Sequence, residues 1–414
     1  MDKIEDFTTF YEKAYLLIPV FSSSDNDVES RVQELTELVK TAGAEVVGYS
    51  FQILREISPA TIFGSGKLQE MRSDINALGA NLIIFDGNLS PSQAQNISDF
   101  FDGIKFLDRT ALILDIFALN AKTKEGKLQV ELAQYEYILS RLKGQGQALS
   151  RLGGGIGTRG PGETKLETDR RYIRQRIKNL KEQIEDLSRK RRLINDRRER
   201  TNVITVALAG YTNAGKSTLL NALSGSNVLA EDKLFATLDP TARKLDLDGY
   251  SVILIDTVGF IKDIPTNLIK AFKSTLDSVS DANLILNVCD ATADWQKQNA
   301  VTEEILKDIN STAKIIKVFN KCENITDFSL FPKDGVFVSA LYKKGLDILK
   351  EKISEVFDDR FLNCELTFEF DKLNKFFKIK DLLESYEMEY LDDGVKVSLR
   401  IKKIYFSKLS EFIK

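Results

Sequence analysis

One stretch constrains the fold more than any other. Val203-Ile204-Thr205-Val206-Ala207-Leu208-Ala209 is a short, nearly unbroken apolar run. It passes directly into Gly210-Tyr211-Thr212-Asn213-Ala214-Gly215-Lys216-Ser217, with Thr218-Leu219-Leu220 behind it. A buried strand, then G-x-x-x-x-G-K-S, then a helix start makes a phosphate-binding unit. The glycines let backbone N–H groups close around phosphate oxygens, the lysine reaches the β- and γ-phosphates, and the serine hydroxyl ligates magnesium. The positive end of the following helix favours the anion. Strands and helices alternating in this way predict an α/β domain built on a parallel sheet. The competing reading is a chance Gly-Lys-Ser turn, and the downstream elements weigh against it.

Those elements fall in order. In Leu234-Phe235-Ala236-Thr237-Leu238-Asp239-Pro240, Thr237 is expected to ligate magnesium through its hydroxyl and to meet the γ-phosphate through its N–H, with Phe235 and Ala236 beside the nucleotide. Val252-Ile253-Leu254-Ile255 reads as a buried strand ending in Asp256-Thr257-Val258-Gly259. Asp256 would hold magnesium through water, and the Gly259 N–H would sense the γ-phosphate. Lys216, Thr237 and Gly259 form the expected catalytic set. Asn320-Lys321-Cys322-Glu323 follows the strand at 315–319 and reads as the guanine site. Asn320 fixes the loop, Lys321 lies over the base and Glu323 accepts the base hydrogens. Ser339-Ala340 would present a backbone N–H to the guanine O6. Many GTPases place Gln just after D-x-x-G to orient the attacking water. Here Phe260 stands there and cannot hydrogen-bond water, so slow intrinsic hydrolysis is expected. Asn213 has two readings: it orders the loop, or it helps hold a potassium ion against the phosphates.

Composition removes other chemistries. The 414 residues include no histidine, which excludes His-based triads, His-ligated metals and a His general base. Cys289, Cys322 and Cys364 form no C-x-x-C pair, so a disulfide scaffold or zinc ribbon is not expected. No apolar run approaches the ~18 residues of a membrane span. The acidic first six residues lack a signal-peptide core, and a cytoplasmic protein is expected. The net charge of −3 hides an asymmetry: residues 141–200 carry 18 Lys/Arg against 8 Asp/Glu, a net of +10, which leaves −13 elsewhere. A basic segment on an acidic protein points to a polyanionic partner for that segment; a solvated helix face is the alternative.

The chain divides into four expected domains. Residues 1–108 alternate strands (14–20, 45–49, 81–86) with helices (28–42, 67–78), a small α/β domain on a parallel sheet. Gly64-Ser65-Gly66-Lys67 lacks the spacer of a phosphate loop and reads as a turn before a helix. Residues 109–200 form an antiparallel helical hairpin. Leu128, Leu132, Tyr135, Leu139 and Leu142 make one seam, and Ile173, Ile177, Leu180, Ile184 and Leu187 the other, both at alternating spacings of four and three. The expected joining loop holds Gly144 and Gly146, then residues 153–163. Gly155, Gly157, Arg159, Gly160 and Gly162 on it, with Arg170 and Arg171 just after, are candidates to face RNA, because guanidinium forks suit phosphate and glycine admits close backbone approach. A plain linker is the alternative. Residues 201–360 are the nucleotide domain. Residues 361–414 are a small α+β module with strands at 366–370, 386–390 and 395–401, the last two around an Asp392-Asp393-Gly394 turn, and helices at 373–383 and 404–413.

Over nearly its whole length the chain resembles the HflX-type ribosome-associated GTPases. The resemblance rests on Ser58-Pro59-Ala60-Thr61-Ile62-Phe63-Gly64-Ser65-Gly66-Lys67, on Leu89-Ser90-Pro91-Ser92-Gln93, on 109–118 and on 125–133. It rests further on the glycine-rich 153–163, and on 210–217, 235–241 and 256–265. It implies a magnesium-dependent GTPase that binds the large ribosomal subunit and carries its glycine-rich loop toward the peptidyl transferase region. The GTP state separates stalled or idle ribosomes into subunits, and hydrolysis permits release; a monomer is expected. One residue departs from the pattern. The guanine tetrad usually ends in Asp, and the extra methylene of Glu323 pushes the carboxylate outward. That departure keeps open an ATP-using or nucleotide-promiscuous RNA remodeller. A scaffold that holds nucleotide without turning it over is a third reading.

Overall fold

Parallel strands buried on both faces read as continuous apolar runs, and two such runs each sit inside a sheet. The computed structural model describes residues 12–21, 28–54, 58–150, 161–200, 203–225, 234–235, 240–247, 250–261, 273–309, 311–358, 361–380 and 383–402. The chain packs as two units: Met1–Arg197 with Ala230–Pro240 and Thr257–Ser278, and Arg198–Leu229 with Thr241–Asp256 and Val279–Lys414.

In the first unit β1 (Lys13–Val20) is buried along seven of its eight residues. It lies between β2 (Glu45–Ile53) and β3 (Leu82–Phe85), with Leu16 opposite both Tyr49 and Ile84. Adding β4 (Lys105–Asp108) gives an all-parallel sheet in the order β2-β1-β3-β4. Four helices accompany it: α1 (Val28–Thr41), α2 (Ser65–Leu78), α3 (Pro91–Phe100) and α4 (Arg109–Asn120). Gly64 caps α2, as the turn-before-helix reading expects. A capping box opens α3: Ser90 Oγ accepts from the Gln93 N–H and the Gln93 side chain accepts from the Ser90 N–H. Tyr15, Leu17, Ile83 and Phe85 pack with Leu68, Met71 and Ile75 of α2 and Ile97 of α3. Asp108 caps α4, accepting from the Ala111 N–H at 2.8 Å.

Two long helices, α5 (Lys124–Ser150) and α6 (Pro161–Arg200), follow. Leu132, Ile173, Ile177 and Leu180 form the seam between them, with Leu128, Tyr135, Leu139, Leu142 and Ile184 packed against it. Arg170 reaches the Leu142 carbonyl, whereas Arg176 pairs with Glu131 at 2.6 Å, so the helices run in opposite directions. The helices extend further than composition suggests. Gly144 and Gly146 lie within α5, and α6 starts at Pro161, a residue tolerated in a first helical turn. The connection between α5 and α6, residues 151–160, lies outside the described residues.

In the second unit β5 (Ile204–Gly210) is the buried run that precedes the phosphate loop. The sheet order is β10-β9-β8-β5-β7-β6. It contains β8 (Leu284–Asp290), β9 (Lys314–Asn320) and β10 (Val336–Phe337), all parallel with β5 and β7 (Tyr250–Asp256); β6 (Thr241–Leu247) runs antiparallel to β7. Among the described residues the helices of the nucleotide region are α7 (Lys216–Ser224), α8 (Lys273–Ser280), α9 (Trp295–Asp308) and α10 (Leu346–Asp358). Val206, Leu208, Leu219, Leu220, Leu254, Leu286, Val318 and Ile353 join in one core. A separate antiparallel sheet, β11-β13-β12, is formed by β11 (Phe361–Phe368), β12 (Leu383–Leu391) and β13 (Gly394–Lys402). Phe376 of α11 (Leu373–Ile379) packs with Val395, Val397, Leu399 and Ile401. Residues 370–372 form a 3-10 turn rather than the end of a strand. The expected helix at 404–413 lies outside the described residues. Among the described residues no helix is long and apolar enough to cross a membrane.

Candidate nucleotide site

The phosphate loop is set by two glycines. A Cβ on Gly210, at φ +145°, would lie 2.1 Å from the Val288 carbonyl oxygen, so only glycine lets β5 and β8 approach there. Gly215, at φ +85°, caps α7, and a Cβ on it would lie 2.3 Å from Asn320 Nδ2. Between them Asn213 is exposed with φ +59°, in the left-handed region that Asn tolerates. Thr212 and Ala214 are buried, Tyr211, Ser217 and Thr218 half-buried. Among the described residues the Thr212 hydroxyl finds no partner, as suits a donor reserved for a phosphate oxygen. Lys216 Nζ curls back over the loop, donating to the Gly210 carbonyl at 3.0 Å and to the Tyr211 carbonyl at 2.7 Å. Burial pushes its ammonium down to about 8, partly offset by Asp256.

Ser217 Oγ donates to Asp256 Oδ2 at 2.6 Å. A hydroxyl and a carboxylate side by side are hard oxygen donors, the type magnesium takes, and magnesium usually completes its shell with water and substrate phosphates. The donor set therefore fits the ion. Among the described residues no group of three or more His, Cys, Asp and Glu converges to hold a metal by protein ligands alone. Thr257, Val258, Gly259 and Phe260 are all buried. Leu234 and Phe235 are also buried, and the Phe235 carbonyl accepts from Asn120 Nδ2 at 2.9 Å. Ala236 and Thr237 lie outside the described residues.

Asn320 ties two loops together. Its Nδ2 donates to the Ala214 carbonyl at 2.9 Å, and its Oδ1 accepts from the Ala340 N–H at 3.0 Å. Lys321 has φ +62°, and its ammonium pairs with Asp290 Oδ2 at 2.7 Å. Asp290 Oδ1 is itself held by the Thr292 N–H and hydroxyl. Asp290 was not legible as a site residue; its only signal is its place at the end of β8, level with Asn320. Glu323 is exposed in a 3-10 turn over Cys322–Asn324. The Ser339 N–H donates to the Lys344 carbonyl and the Ala340 N–H to Asn320 Oδ1. The buried Asn320 oxygen needs a donor, and Ala340 supplies it.

On the arm, Arg171 is exposed, but the half-buried Arg170 turns inward to the Leu142 carbonyl and clasps α5 to α6. Gly162 opens α6, and Gly155, Gly157, Arg159 and Gly160 lie outside the described residues.

Three family models match the chain in succession: a GTP-binding GTPase N-terminal region over residues 29–118, a GTP-binding GTPase middle region over 120–198, and a 50S ribosome-binding GTPase over 205–321. The chain is similar to the GTPase HflX of Caldanaerobacter subterraneus subsp. tengcongensis, with 44% identity covering 100% of this chain and 96% of that one. The chain belongs to the HflX GTPase family. Other HflX GTPases agree: that of Lacrimispora saccharolytica is 42% identical over 97% of this chain and 96% of its own length, and that of Escherichia coli 38% over 94% and 92%. As an HflX-family member the protein is a GTP-hydrolysing enzyme. Its loop and Lys216 can neutralise and orient a triphosphate, and the Ser217–Asp256 pair would hold the magnesium that adds to that neutralisation; this is the greater part of phosphoryl-transfer catalysis.

Proposed function

We propose that this HflX-family GTPase binds the large ribosomal subunit in its GTP state, separates stalled or idle ribosomes into subunits, and leaves on hydrolysis. The observation that carries the reading is the arm: two paired helices bearing a net charge of +10 across residues 141–200 on a chain of net −3. α6 alone spans 40 residues, roughly 60 Å at helical rise, enough to carry its tip well away from a domain. RNA phosphates attract such a segment in a salt-dependent way. Gly155, Gly157, Arg159, Gly160, Gly162 and Arg171 face the RNA, while Arg170 braces the arm from within. The work divides as N-terminal α/β domain 1–108, arm 109–200, GTP-binding domain 201–360 and closing module 361–414. Ser217 and Thr237, and Asp256 through water, would hold a magnesium ion, which would supply charge neutralisation for the triphosphate. Asn213 holds potassium; exchanging potassium for sodium without a rate change would remove that assignment. The protein works as a monomer in the cytoplasm.

Deleting residues 153–163 tests the reading. The shortened protein should keep its GDP affinity and its intrinsic hydrolysis, because the nucleotide elements remain. It should fail to split ribosomes sedimented with GTP. Full splitting by the deletion variant would reduce the arm to a spacer.

A further inference from the structure

We propose that Phe117 and Asn120, on α4 of the N-terminal region, are positioning residues for GTP hydrolysis: they hold Phe235 and so fix the path of the chain that carries Thr237 two residues later. The proposal rests on Thr237 being the residue that meets magnesium and the γ-phosphate.

Independent observations converge on this anchor. Asn120 Nδ2 donates to the Phe235 carbonyl at 2.9 Å. The rings of Phe117 and Phe235 meet edge to face, centroids 4.7 Å apart and planes at 80°. Both rings are buried, at 1% and 2% exposure. Phe235 also has φ +56°, an unusual backbone state for an aromatic residue, which persists only where surrounding contacts dictate it. Leu234, Phe235 and Pro240 group with the unit that contains α4, although they follow the phosphate loop in sequence.

The consequence for chemistry follows from chain geometry. Two residues span at most about 7 Å, so pinning Phe235 confines where Thr237 can be. Part of the entropy of ordering that segment is thereby spent before GTP arrives. Losing the anchor should therefore weaken what depends on the γ-phosphate and leave GDP binding alone. A purely structural role would not divide the two nucleotides in this way.

The test uses the full chain and two variants. Asn120→Asp keeps the shape of the side chain and removes the donor; Phe235→Ala removes the ring. Single-turnover GTP hydrolysis is measured beside the affinities for GDP and a non-hydrolysable GTP analogue. Losing one neutral hydrogen bond corresponds to about a two- to tenfold effect. Asn120→Asp should slow hydrolysis by at least that factor, since its carboxylate also repels the Phe235 carbonyl, and narrow the preference for the analogue over GDP similarly, with GDP affinity within about twofold of the parent. Phe235→Ala should do more. Should Phe235→Ala fail to fold, Asn120→Asp decides alone, because it keeps the side chain's shape and replaces the donor to the Phe235 carbonyl with a carboxylate oxygen that repels it. An unchanged or faster rate in Asn120→Asp, or equal losses for GDP and the analogue, overturns the proposal. Thr237→Ala separates the two layers of the argument. If it changes nothing, the reading of Thr237 fails and the proposal with it. If it slows hydrolysis while Asn120→Asp does not, the anchor alone is refuted.

Discussion

Replacing Asn320 with Ala removes the side chain that joins the phosphate loop to the 339–340 turn. Two hydrogen bonds go, Nδ2 to the Ala214 carbonyl at 2.9 Å and the Ala340 N–H to Oδ1 at 3.0 Å. Asn320, Ala214 and Ala340 are 2%, 0% and 4% exposed, so the stranded carbonyl and amide are cut off from bulk water. A buried group stripped of its partner costs about 1–3 kcal/mol, and two cost about 2–6 kcal/mol. The space vacated by the amide is polar and admits a water molecule, which places the loss in the lower half, about 2–4 kcal/mol. Trp295 is the sole tryptophan, and its ring is 5.2 Å from that of Phe319, the residue before Asn320. Its fluorescence therefore follows the unfolding of this unit. With a urea slope of about 2 kcal/mol per molar, the midpoint should fall by about 1–2 M. GDP affinity should fall at least about tenfold, since binding must then order a loop that Asn320 held in advance. A midpoint within about 0.3 M of the parent, together with unchanged GDP affinity, would refute the reasoning.

Three further outcomes follow from the same geometry. Gly210→Ala should give no folded nucleotide unit by circular dichroism and Trp295 fluorescence, because its Cβ would lie 2.1 Å from a backbone oxygen of the paired strand; a soluble variant with the parent's urea midpoint contradicts this. Burial lowers the Lys216 ammonium to about 8, and phosphate requires the charged form, so GDP binding should take up a proton near that pH and weaken as pH rises through it. Calorimetry in two buffers of different ionisation enthalpy at pH ~8.5 reads the uptake, and identical heats would count against it. Arg141→Ala should leave Asp108, 2% exposed, with the Tyr137 hydroxyl and the Ala111 N–H but no counter-charge. Breaking a buried pair costs about 3–5 kcal/mol, the remaining bonds reduce this to about 2–3 kcal/mol, and a thermal-unfolding midpoint equal to the parent's would contradict it.

The sheet centres were legible because β1 and β5 are buried on both faces and their apolar runs have no alternative use. The arm's seam was legible for a similar reason: spacings of four and three leave little choice of face. β4 was not, since its four residues form a short edge strand with no pattern long enough to declare itself. α4 was obscured in another way. Its first six residues, and Ile116 and Phe117, are all buried, so its sequence lacks the polar stripe that marks a surface helix. In the nucleotide site the motif spacing named the residues, but the bonds that fix them come from far along the chain. Asn320 and Ala214 are 106 residues apart, and Asn120 and Phe235 115 apart. At Arg170 a long side chain in a basic segment reaches a helix carbonyl, a contact that charge composition does not reveal.

The large ribosomal subunit is the partner proposed for this GTPase. Phe260 stands where a water-orienting Gln is often found and is buried, so the free protein lacks one ordering group for the attacking water. The direct measurement is the rate of GTP hydrolysis by the full chain, alone and with purified large subunits, with ATP as the control nucleotide. The expected result is slow hydrolysis by the free protein, a rise of at least about tenfold with large subunits, and no comparable rise with ATP. Equal rates with and without subunits would contradict it.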